Sequence, residues 1–135
     1  MRHYRYVVLA LLAGCATQPA PTSEAKLAKD ILDSTWLRPL AGAGMLVVKR
    51  DPGILGSGCS HRIIYDGKPV ADLTAGEVVT LYTPPGDHFL RVEQRCLGTS
   101  QGGNEMVTPS ISGKTSTFRT TVQPGGVVML MPTSS

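Results

Sequence analysis

The amino-acid sequence predicts a mostly β fold: a small antiparallel β-sandwich or barrel of about seven strands, preceded by a short helix and a flexible tether. Three observations lead there. The 135 residues include fifteen Gly and ten Pro with only 17% charged positions, which describes a turn-rich globular chain and not a coiled coil or a charged disordered tail. Turn signals recur every 8 to 12 residues from Ala43 onward, the spacing of short antiparallel strands. Between them lie runs rich in β-branched and aromatic residues, such as Val78, Val79, Thr80, Leu81 and Tyr82. The length holds one small domain, which excludes a large multidomain enzyme.

Residues 1–14 come first. Arg2, His3 and Arg5 precede the apolar run from Val7 to Ala13, the layout of a secretory signal. A membrane-spanning helix needs roughly 20 apolar residues, and this run ends far short of that before Pro19 and Pro21. Leu12, Ala13, Gly14 and Cys15 resemble the bacterial lipobox, whose cysteine thiol receives a diacylglyceryl group. The resemblance implies a lipoprotein whose mature chain begins at Cys15; Ala16 after the cysteine, where an aspartate would retain it, implies passage to the outer membrane. Two or more acyl chains anchor stably where one binds marginally. An ordinary signal peptide with an incidental Cys15 is the alternative. Loss of Arg2 and Arg5 with the leader takes thirteen basic residues to eleven against ten acidic ones, a formal +1. No basic stripe with interleaved aromatics survives, so nucleic acid is not an expected partner.

Residues 15–23 are small, polar and Pro-rich, a tether unable to bury enough apolar surface to order itself. Extended at ~3.1 Å per residue, it would hold the domain some 25 Å from the headgroups. In residues 24–42, Leu27, Ile31 and Thr35 recur at helical spacing over Glu24 to Leu37, with Ser23 as N-cap and Pro39 beyond the end. A short helix followed by a linker is expected, with a continued linker as the alternative.

Residues 43–135 form the predicted β-domain. Met45 to Val48 is a buried-type run. Arg62 to Tyr65 and Lys68 to Leu73 flank Asp66-Gly67, a favoured hairpin turn because both central positions need positive φ. Glu77 to Thr83 follows Ala75-Gly76. In His88 to Cys96, Leu90 and Val92 alternate with Arg91, Glu93 and Arg95, the pattern of a half-solvated strand. Leu97 to Glu105 reads as an exposed Gly-rich loop. Met106 to Ser112, Thr115 to Gln123 and Val127 to Met131 complete the set, with Pro109 demoting the first of these to an edge.

With Cys15 lipidated, Cys59 and Cys96 remain in a compartment that oxidises thiols, and a disulfide between them is expected. The alternatives pair Cys59 with His61 as metal ligands or as nucleophile and base; neither has a third partner in sequence reach. Gly56 to His61 satisfies neither the nucleophile elbow nor the phosphate loop, because a strand follows where both need a helix. His61 and His88 lack further ligands for a metal, and Met45, Met106, Met129 and Met131 read as core filler or a sticky face sooner than as copper ligands. Asp66, Asp72, Glu77 and Asp87 sit at strand ends and turns, where carboxylates bond local backbone. No catalytic, metal or cofactor residue is expected.

The block from Tyr65-Asp66-Gly67-Lys68-Pro69-Val70 through Pro84-Pro85-Gly86-Asp87-His88 resembles PEGA-like β-sandwich modules of bacterial envelope proteins, over about 40 residues from Arg50 to Val92. The resemblance implies a compact accessory fold without catalysis and transfers no site residue. The expected function is a non-enzymatic envelope lipoprotein: a β-domain tethered to the outer membrane by lipid, facing the periplasm, that binds or scaffolds another envelope protein or polymer. The alternatives are an assembly factor of a secretion or surface-polymer complex and, from another class, a small hydrolase using Ser60, His61 or His88.

Overall fold

A computed structural model of the chain describes residues 22–53 and 58–134. They form a one-turn 3-10 helix, Thr22–Glu24, and eleven strands: β1 Lys26–Leu27, β2 Asp30–Ile31, β3 Gly44–Arg50, β4 Ser60–Tyr65, β5 Lys68–Leu73, β6 Glu77–Thr83, β7 Gly86–Cys96, β8 Thr99–Gln101, β9 Glu105–Ser110, β10 Thr115–Val122 and β11 Val128–Thr133. The first sheet has the order β1-β6-β3-β10-β11. The second runs β2-β5-β4-β7-β8, with β9 also paired to β7. Neither closes into a barrel.

One core lies between the sheets because alternate residues of each strand point inward. Leu46, Val48, Val79, Leu81, Phe118 and Leu130 come from the first sheet. Ile63, Tyr65, Val70, Leu73, Leu90 and Val92 come from the second. Fully burying side chains of this kind contributes about 1.5–3 kcal/mol each before chain entropy is charged against it.

Every strand run read from the sequence is present, and the short strands β1, β2 and β8 take the number from the expected seven or so to eleven. The hairpin between β4 and β5 turns at Asp66 (φ 46°) and Gly67 (φ 81°), the positive pair that the Asp-Gly turn requires. In β5 the register skips Val70 between Ile63↔Ala71 and Ile64↔Pro69, a bulge beside a proline that has no N–H for the ladder. Among the described residues β9 pairs only with β7, an edge strand as Pro109 indicated.

Two expectations are corrected. The sheets are not purely antiparallel: β1 runs parallel to β6, and β3 parallel to β10. Turn chemistry reports on neighbours in sequence, and these pairs are remote. Nor is there a helix over Glu24–Leu37; the stretch is extended and lies along two sheet edges. Lys26 N donates to Gly76 O at 2.9 Å, Ala28 N to Val78 O at 2.9 Å and Leu32 N to Val70 O at 2.9 Å. Asp33 Oδ1 takes Thr35 N at 2.9 Å and Thr35 Oγ1, a local turn that competes with helix. A short isolated helix is marginal, and unpaired edges offer the same backbone groups fixed partners.

Candidate functional site

The chemistry-bearing side chains gather at two opposite ends of the second sheet. His61 pairs with Gln94 on β7, six residues from His88, so the two histidines stand ~20 Å apart along the strand. They form no common site.

At one end, Cys59 immediately precedes β4 and Cys96 closes β7. Ser60 faces Arg95, and continuing that register sets the cysteines directly opposite, with Cα atoms 4.5 Å apart. This is the spacing of a non-hydrogen-bonded antiparallel pair. They are joined by the expected disulfide, across 37 residues. Cys15 lies outside the described residues, as do the leader, Gly56 and Ser57.

The core turns polar at this end. Arg50, 3% exposed, donates from Nη1 to Cys59 O at 2.7 Å and Leu73 O at 2.9 Å, which ties β3 to the other sheet. Burial pushes its guanidinium down, opposed by the Glu77 carboxylate. His61 Nδ1 and Thr120 Oγ1 share a hydrogen bond of 2.8 Å between the sheets, and both side chains are buried. His61 Nε2 has no hydrogen-bond partner among the described residues. Burial, then the Arg50 charge, pushes the imidazole down to about 3, so it is neutral at ordinary pH. A buried neutral histidine bonded to a threonine is a structural element, not an accessible base.

Glu77 closes the same region. Its Oε1 accepts Thr74 N and Thr74 Oγ1, each at 2.7 Å, and Oε2 accepts Lys29 N at 3.2 Å. Asp51, the residue after β3, is buried. Its nearest cation is Arg119, 3.6 Å from Oδ2, and desolvation pushes its carboxyl up against that charge.

At the other end, His88 sits between three oxygens. Nδ1 lies 2.8 Å from Asp66 Oδ2 and 2.8 Å from the Tyr65 hydroxyl, and Nε2 lies 2.7 Å from Pro84 O. Burial alone would lower its pKa, but the Pro84 carbonyl and the Asp66 carboxylate outweigh it and the net shift is upward. In the protonated ring both nitrogens donate to these oxygens. Asp66 Oδ1 accepts Phe89 N at 2.8 Å, which fastens the hairpin turn to β7. Tyr65 stacks edge-on with Trp36 at 5.4 Å, and burial first, then Asp66, pushes its phenol up. Every polar atom of His88 is thereby spent on holding the turn.

No protein-family model fits the chain, and no curated protein is significantly similar to it. Three of the four carboxylates named in the sequence, Asp66, Asp72 and Glu77, have structural partners. Asp72 takes Arg62 Nε at 2.8 Å and Nη2 at 2.9 Å as a forked pair, and Asp66 and Glu77 bond local groups as described. Among the described residues no three His, Cys, Asp or Glu side chains come together as a metal would require. No helix among them is long and apolar enough to cross a membrane.

What the surface offers is contact area. β9 is an edge, and its Val107 stands opposite Phe89 of β7 with both side chains about half exposed. The opposite face of the pair is core, so this apolar spot looks outward beside unpaired strand backbone.

The Gly-rich loop is not simply exposed. β8 lies within it, and Asn104 clamps the sheets: its main-chain O accepts Val92 N at 3.0 Å, its Nδ2 donates to Leu130 O at 3.0 Å and its Oδ1 accepts Leu130 N at 2.6 Å. Gly103 precedes it because a Cβ there would collide with the Val92 carbonyl.

Proposed function

We propose that the protein is a non-enzymatic, PEGA-like lipoprotein of the bacterial outer membrane, anchored through acylated Cys15, whose β-domain faces the periplasm and binds another envelope component. The observation that carries this reading is the order of basic start, short apolar run and Leu12-Ala13-Gly14-Cys15. The Cys59–Cys96 bridge supports it, because disulfides persist in oxidising compartments. The role of a binding domain is favoured over a hydrolase by the histidines: His61 is buried and His88 is committed to Asp66 and Pro84. Val107 and Phe89 on the β9 edge are the contact surface this reading assigns to the partner.

A photoreactive residue placed at Val107 in living cells tests the binding role. One reproducible crosslinked envelope protein, absent when the probe sits at Lys114 in the turn before β10, is the expected result. Turnover of a defined substrate by the purified domain would replace this reading with the hydrolase. Mislocalisation of a specific outer-membrane complex on gene deletion would favour the assembly-factor variant of the same reading.

A further inference from the structure

The segment that follows the tether leaves apolar side chains uncovered. β1 covers only Glu77 and Val78 of β6, after which the chain crosses to β5 and returns to β6 only where Tyr82 N donates to Trp36 O at 2.7 Å. The detour opens a groove of about 360 Å³, walled by Leu27, Ile31, Leu37, Val78 and Tyr82. Leu27 is 79% exposed and Ile31 37% exposed. Leu32 and Leu40, on the same segment, are also exposed.

Burial does not explain these residues, and their position relative to Cys15 does. Six residues separate Cys15 from Thr22, and seven peptide links span at most about 25 Å. A chain anchored at Cys15 therefore keeps Thr22, where this segment begins, within one tether length of the headgroups. Charge adds little: Glu24, Asp30 and Asp33 balance Lys26, Lys29 and Arg38. An apolar, electrically neutral segment beside a lipid anchor suits an uncharged apolar boundary better than an anionic surface.

We propose that the Leu27–Ile31 face docks on the lipid surface to which Cys15 is anchored, so that the domain lies against the membrane instead of standing off it. The inference rests on the anchoring reading and adds an orientation to it: the first sheet's β6 edge turns toward the lipid, and the β9 edge of the second sheet is left for the partner. The anchor supplies proximity, and the exposed aliphatic side chains supply a weak second contact whose effective concentration is set by the short tether.

Trp36, the single tryptophan, neighbours Leu37 of the groove wall and serves as the probe. With Cys59 and Cys96 bridged, Cys15 is the free thiol of the chain beginning there, and it can be coupled to maleimide-phosphatidylethanolamine in phosphatidylcholine vesicles. Bromine in the upper acyl chains should quench Trp36 about twofold more in the native chain than in Leu27→Asp/Ile31→Asp. Raising salt to about 0.5 M should leave the difference unchanged, since screening does not touch apolar contact. Equal quenching in the two chains, or none, overturns the proposal. So does sedimentation showing dimers that the double substitution abolishes, which would assign the groove to a second copy. Because the coupling replaces the native lipid, an unmodified Cys15 in cells would defeat the anchoring reading without altering this result, and the two failures are distinguishable.

Discussion

Asp66 and His88 are joined across the β4–β5 turn and the start of β7, Oδ2 to Nδ1 at 2.8 Å, while the other nitrogen of the ring holds Pro84 O at 2.7 Å. Asp66 has positive φ and is the first residue of the turn, so one side chain both shapes the hairpin and ties it to a strand 22 residues away. The pair gives stability a defined dependence on pH. The His88 pKa is raised above its ordinary value, so its contribution is complete below about pH 6.5 and fades as pH rises through the folded-state value. Asp66→Asn keeps an acceptor for Phe89 N and removes the charge. It should lower the His88 pKa in an NMR titration and cost about 1 kcal/mol near pH 6, with a smaller loss near pH 9. An unchanged His88 titration would show that the carboxylate does not hold the ring.

His61 acts in the opposite sense. Its folded pKa is depressed to about 3, so the unfolded chain takes up a proton that the folded one refuses as pH falls below the ordinary histidine value. Stability from this residue is complete above about pH 6.5 and is lost by about 1.4 kcal/mol per pH unit below it. His61→Phe should flatten that acid limb of the urea midpoint against pH. The variant is expected to be less stable throughout, because Thr120 loses its partner, but the slope is the readout.

The Cys59–Cys96 bridge encloses β4 to β7, which makes it a constraint on the unfolded chain and not only a link between neighbours. For a loop of this size the chain-entropy relation gives about 4 kcal/mol. Cys59→Ala/Cys96→Ala should lower stability to urea by about that amount. Reductant should do the same to the native chain and nothing further to the variant.

Asn104 and Gly103 make the inter-sheet clamp. Asn104→Ala removes both side-chain bonds to Leu130 and should cost about 2 kcal/mol. Gly103→Ala forces the loop off Val92 and should cost at least about 2 kcal/mol, with faster amide exchange at Val92 and Leu130 in each case. Exchange unchanged at Leu130 would show that the clamp does not protect the β11 edge.

These contacts divide according to how local they are. The hairpin at Asp66-Gly67, the alternation in β7 and the edge character of β9 were legible because turn chemistry and side-chain period are properties of adjacent residues. The bridge between Cys59 and Cys96 was legible from thiol parity and the expectation of an oxidising compartment, not from geometry. The parallel pairing of β3 with β10 was not legible, nor was the Asn104 clamp, since neither leaves a periodic mark. β1, β2 and β8 are two or three residues long and carry no period at all. Leu27 and Ile31 imitate a helical stripe by spacing, although both face outward from an extended chain. The buried position of Asp51 depends on β3 continuing to Arg50, two residues beyond the apolar run Met45 to Val48. For the anchor, the sequence alone speaks, through four residues ending in Cys15.

The most direct test is the mass of the N-terminal peptide from protein purified out of native membranes. The account predicts a chain beginning at Cys15 and carrying a diacylglyceryl group, with an amide-linked acyl chain in addition. A peptide that begins at Met1, or a Cys15 thiol that bears no lipid, would contradict it.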